Sequence, residues 1–97
     1  MPTYITLYKM TEQGIKNVKD APGRIQEGIK NWEGAGGKLI GFYATQGEYD
    51  YVGIAEHPDE EVATAFMLGM GAQGNVRTTT LRAFSPDQFA SIVAKIP

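Results

Sequence analysis

The sequence is informative first through what it lacks. None of its 97 residues is cysteine, so neither a disulfide nor a thiolate metal site is available. Histidine occurs once, at His57. One imidazole beside helix-start carboxylates is a weak metal pattern, and no metal ligand set is expected. Serine is confined to Ser85 and Ser91. The first stands where a helix cap belongs and the second on a surface helix, which argues against a serine nucleophile. No apolar run approaches the roughly 20 residues of a membrane span, so no membrane partner is expected. Basic residues are scattered and outnumbered, with a net charge of -2. A nucleic-acid binder concentrates Lys and Arg on one face, so no nucleic-acid partner is expected either. The opening MPTYITLYK has no charged leader and reads as a strand, which makes the cytoplasm the expected location.

What is present suits a single globular domain over residues 1–97: 42% of residues are hydrophobic and 21% charged. The segment 3–9 alternates like a strand. Thr11 offers a cap for a helix near Glu12, and Ile15, Val18, Ile25, Ile29 and Trp32 follow helical spacing. Pro22 divides that spacing into two pieces, with Asp20 as the expected second cap. Strands follow at 38–45 and 51–56, joined as a hairpin. Pro58 and three acids open a helix whose stripe runs through Val62, Ala63, Phe66, Met67 and Met70. A strand at 76–84 and a short helix from Ser85 to Ile96, with Phe89, Ile92 and Val93 inward, complete the chain. The order βαββαβ plus a terminal helix is an α+β, ferredoxin-like arrangement on a four-stranded antiparallel sheet.

Gly69, Gly71 and Gly74 stand in the spacing G-x-G-x-x-G. A dinucleotide fingerprint follows a strand and opens a helix. These glycines end a helix and precede a strand, so the expectation is helix termination through a left-handed glycine. No nicotinamide, flavin or other cofactor is expected.

Strand alternation sorts the sheet into two faces. Ile5, Leu7, Val52, Ile54 and Leu81 make one, which the helices are expected to cover. Tyr4, Thr6, Tyr8, Tyr51, Thr78, Thr80 and Arg82 make the other. Interfaces favour Tyr and Arg, so this second face is expected to pair with another copy of the chain. His57, placed between a strand and Asp59, is expected to be solvated. In QGEYD, Gly47 is expected to supply a positive φ and Asp50 to accept bonds from backbone amides. Tyr49 is expected over the tyrosine face or against a partner chain. The motif Gly47, Tyr49 and Asp50 is thus read as a structural turn.

The segment QGEYDYV, together with NVRTTTLRAF and the opening YITLYKMTEQGIKNVKDAP, resembles the GYD-domain proteins over about 3–96. The resemblance implies a small bacterial or archaeal domain, ferredoxin-like and related to dimeric α/β-barrel proteins, with no assigned reaction. Two functions follow from it. The first is a non-catalytic module for small-molecule binding or assembly, working as a homodimer. The alternative is a cofactor-independent oxygenase- or cyclase-like enzyme acting on a small aromatic or polyketide-like substrate. Relatives of that kind place a pocket between sheet and helices. Here Trp32, Phe42, Tyr43, Asp50, His57 and Phe66 are the expected lining. An enclosed pocket with Asp50 or His57 pointing inward would favour the enzyme, and solid packing there the module.

Overall fold

Strand β1 (Thr3–Met10) is the hub of the molecule. In the computed structural model, which describes residues 1–97, it is hydrogen-bonded on both sides. Thr11 follows and caps α1 (Glu12–Lys16), its hydroxyl accepting from the Gly14 amide. A single 3-10 turn (Val18–Asp20) leads to α2 (Ala21–Gly34), with Pro22 in the first helical turn. The helix thus divides where proline required it. Asp20 occupies the cap position of α2 but its side chain makes no capping bond.

Gly36, at φ 100°, turns the chain into β2 (Lys38–Ala44), which pairs with β3 (Tyr51–Glu56). Helix α3 (Glu60–Gln73) starts at Asp59, whose carboxylate accepts from the amides of Glu61 and Val62. It ends at Gly74, left-handed at φ 85°. The glycine trio is therefore the helix stop its context implied. Strand β4 (Val76–Ala83) and α4 (Pro86–Val93) complete the chain. Ser85 and Gln88 form a reciprocal capping box at the start of α4.

The sheet order is β2-β3-β1-β4 with every pairing antiparallel. This is the ferredoxin-like topology. No helix is long and apolar enough to cross a membrane.

The register confirms which residues share a face and corrects which face the helices cover. Tyr8 lies opposite Tyr51 and Thr78, Thr6 opposite Gly53 and Thr80, and Tyr4 opposite Ala55 and Arg82. Tyr4, Thr6, Tyr8 and Tyr51 line the space beneath α2 and α3, and Thr6 and Tyr51 are buried. Thr78, Thr80 and Arg82 continue the same face on the edge strand. The tyrosine face is therefore the helix side, not the face left open for a second copy. Its rings carry more buriable surface than the aliphatic side chains opposite, and the helices bring Trp32 and Phe66 to meet them.

The aliphatic set is left on the uncovered side: Leu7 lies between Val52 and Thr79, and Ile5 between Ile54 and Leu81. Leu81 is 46% exposed. A register slip between Leu39 and Gly41 also leaves Ile40 exposed.

Helix α4 departs from expectation too. Phe89 is 61% exposed, and Ile92 and Val93 are also exposed, so this helix stands away from the body instead of packing inward. Ile15, Val18 and Val62 are likewise more exposed than their helical spacing implied. Only 8 of 97 residues are buried, so much of the apolar surface of this chain has no partner within it.

Candidate functional site

Helix α2 packs over β2 and α3 over β4. The central strands between them form the floor of a half-open cleft of about 710 Å³. Antiparallel packing gives the cleft two distinct ends. At one, Trp32 and Phe66 meet edge to face with ring centres 5.2 Å apart. The Trp32 indole N–H donates to the carbonyl of Glu56 at 3.2 Å, which fixes the ring against the end of β3. At the other end lie Arg24, Gln73 and Asn75, contributed by the start of α2, the end of α3 and the residue before β4.

The floor carries a cluster of three rings. Tyr8 and Phe42 are 5.6 Å apart, Tyr8 and Tyr51 6.2 Å, and Phe42 and Tyr51 5.7 Å. Gly53 makes this cluster possible, since a Cβ there would come within 3.3 Å of Phe42 and 3.4 Å of Tyr8. Burial raises the Tyr8 pKa above its ordinary value, against a smaller lowering from a hydrogen bond with the Thr6 side chain. The phenol therefore faces the cleft in its neutral form at physiological pH. The Tyr4 hydroxyl at the cleft wall is buried and has no hydrogen-bond partner.

Of the six residues expected to line a pocket, Trp32, Phe42 and Phe66 do so. Tyr43 does not: it pairs with Val52 on the opposite face and is 61% exposed. His57 is only 1% exposed, not solvated, because Trp32 packs edge to face on its ring at 4.9 Å. Its Nδ1 accepts from the Asp59 amide at 3.0 Å, which ties the end of β3 to the start of α3. Neither His57 nor Asp50 contributes to the cleft lining.

Asp50 instead holds the sheet together. Its carboxylate accepts from the Met10 amide at 2.7 Å, and its own amide donates to the Tyr8 carbonyl at 2.8 Å. The Asp50 carbonyl in turn accepts from the Thr45 amide at 2.9 Å, closing the turn. Gly47 has φ 101°, a conformation that side chains with a Cβ rarely adopt. Tyr49 departs from the tyrosine cluster, and Lys9 reaches across to it, with Nζ 5.6 Å from the ring centre and 3.8 Å from Glu48.

Arg82 bonds the main-chain carbonyls of Thr3 and Ala83 and stacks on Phe84, so its guanidinium is taken up at the strand end. Sequence reasoning placed Tyr4, Tyr8 and Tyr51 on one face but missed them as cleft floor. It also missed the parts played by Gly28, Gly69 and Arg24. The helical spacing that assigned Trp32 and Phe66 to the inward stripes would have found the glycines, had the empty positions beside them been read as space.

Fold and site together define a ferredoxin-like α+β domain with an aromatic-floored cleft and a hairpin pinned by its own glycine and aspartate. The chain belongs to the GYD domain family, whose model matches residues 4–93. It is 32% identical over 97 residues to a protein of Thermus thermophilus, a match covering 99% of each chain. That relative is named glutamine synthetase and cystathionine beta-lyase binding protein. No solved structure matches the chain significantly.

Proposed function

We propose that this chain is a non-catalytic assembly module: it pairs with a second copy of itself and docks on metabolic enzymes. The observation that carries this reading is the uncovered face of the sheet. Ile5, Leu7, Val52, Ile54 and Leu81 form a continuous aliphatic surface with no helix over it. A contiguous apolar patch of this kind marks an interaction surface. Pairing two such sheets face to face would bury both and supply the core that one chain alone does not complete.

The name of the Thermus relative supports the docking half of the reading, with glutamine synthetase and cystathionine beta-lyase as the enzymes to try first. The positions of Asp50 and His57 outside the cleft lining weigh on the same side, because each already has a structural task.

The test is sedimentation of the chain alone and mixed with the glutamine synthetase of its own host. A dimer at micromolar concentration that co-sediments with the enzyme is the expected result. Leu7→Lys should abolish the dimer, since an ammonium buried without a partner costs several kcal/mol, roughly. A wild-type chain that stays monomeric and apart from the enzyme would refute both halves.

A further inference from the structure

We propose that the cleft between the helices is a binding site for a flat, uncharged aromatic molecule with hydrogen-bonding groups at one end. Its volume of about 710 Å³ is that of a small-molecule site. The shape of the ligand follows from the floor, where Tyr8, Phe42 and Tyr51 lie within 6.2 Å of one another and offer both ring faces and ring edges. Offset and edge-on contacts of this kind suit another ring better than a flexible chain.

Its charge follows from α2. Arg24 and Glu27 are the charged side chains of the lining, and they sit three residues apart on one helix. Their formal charges cancel, and the Arg24 guanidinium is already engaged with the Asn17 carbonyl at 3.2 Å, so the lining carries no net charge with which to select an ion. Its polarity follows from the two ends. Trp32 and Phe66 shut one with rings, whereas Arg24, Gln73 and Asn75 give the other both donors and acceptors.

The walls point the same way. Gly28 and Gly69 lie inside α2 and α3, face the cleft, and have no atom within 4 Å of the position a Cβ would take. Neither has a positive φ. Glycine is the poorest helix former after proline, and at these two places neither backbone conformation nor close packing calls for it. Their missing side chains leave the cleft open between the two helices.

Trp32 is the sole tryptophan and stands at the cleft wall, so it reports on occupancy directly. The probe is N-phenyl-1-naphthylamine, a neutral aromatic dye that takes up tryptophan emission. Titration should quench Trp32 saturably while dye emission rises. Coumarin, neutral and flat, should displace the dye, whereas decanoate, aliphatic and anionic, should not. Gly28→Leu and Gly69→Leu should each weaken the dye at least tenfold with the melting temperature unchanged or raised. Lys95→Gln, on the exposed segment beyond α4 and outside the cleft lining, should leave the affinity unaltered. The proposal is overturned if Trp32 is not quenched, if decanoate competes as well as coumarin, if both glycine variants bind like the wild type, or if Lys95→Gln removes binding.

Discussion

The two faces of this sheet are built from the same four strands and differ in almost every other respect. The helix side holds tyrosines beside small residues: Thr6 against Gly53 and Tyr4 against Ala55. The open side holds aliphatic residues of similar size, Leu7 against Val52 and Ile5 against Ile54. One face is uneven and hollow. The other is even and uncovered. The most oily residues are thus not the innermost ones here. A strand's alternation decides which side chains keep company, while the side that the helices cover is settled by how ring surface on sheet and helix fit together.

Substitutions on the two sides should separate these roles. The largest effect is expected at Trp32→Ala, which removes a buried ring and the bond to Glu56, at about 3–5 kcal/mol. Urea unfolding would measure it, and a loss below about 1 kcal/mol would mean the helix side is not the stabilising one. Asp50→Ala comes next, at about 1.5–3 kcal/mol, because the Met10 amide loses a carboxylate acceptor. Asp50→Asn should cost less, since its amide oxygen still accepts; equal melting temperatures for the two would count against the pin.

Gly47→Val should cost about 1–3 kcal/mol through its positive φ alone, since nothing lies within 4 Å of the added Cβ. A valine variant that melts with the wild type would remove that strain argument.

The Tyr8 shift gives a smaller effect, in alkali. Its folded pKa is raised above the ordinary 10.0, so folding favours the neutral phenol. The contribution is intact below pH 10.0 and is lost as pH rises through the folded value. Tyr8→Phe should therefore flatten the alkaline fall in stability, and an unchanged pH profile would refute the assignment. Smallest of all should be the change in monomer stability from Leu81→Lys, within about 0.5 kcal/mol, measured where the chain is dilute enough to be monomeric. A loss as large as that of Trp32→Ala would erase the contrast between the faces.

Much of the fold was legible because its signals are local. Thr11 and Ser85 each cap the helix their position announced, Asp59 caps α3 from within the acidic start read there, and Gly74 ends α3 in the left-handed conformation that the glycine context implied. The turn at Gly47 and Asp50 was legible for the same reason, although the reach of Asp50 to Met10 lies forty positions away and has no local signature. The candidate site was half legible. Trp32, Phe42 and Phe66 announce themselves as inward-facing rings, but Tyr43, one residue beyond Phe42, is turned out by strand alternation. His57 looked solvated because its neighbours in sequence are charged. Its neighbour in space is Trp32, twenty-five residues earlier. The choice of covered face was illegible because both faces carry enough apolar surface to attract a helix.

The placement of β1 has a consequence for how the chain comes to be folded. It precedes the other three strands of the sheet, yet Thr3 must find Ala83 before its second edge is satisfied. Until β4 has emerged, a nascent chain exposes one whole edge of its central strand. Pairings this distant in sequence close slowly, because the loop entropy is lost before the contacts form. That interval leaves an unpaired edge open to wrong partners, including β1 of a neighbouring chain. The seam just beyond β1 meets this demand. Thr11 bonds through its amide to the Asn75 carbonyl and through its hydroxyl to the Gly74 carbonyl, and Gln13 reaches Gln73 and Asn75. These bonds join the exit of β1 to the entrance of β4 and align the two strands, so that pairing can run from Met10 and Val76 back toward the chain's beginning.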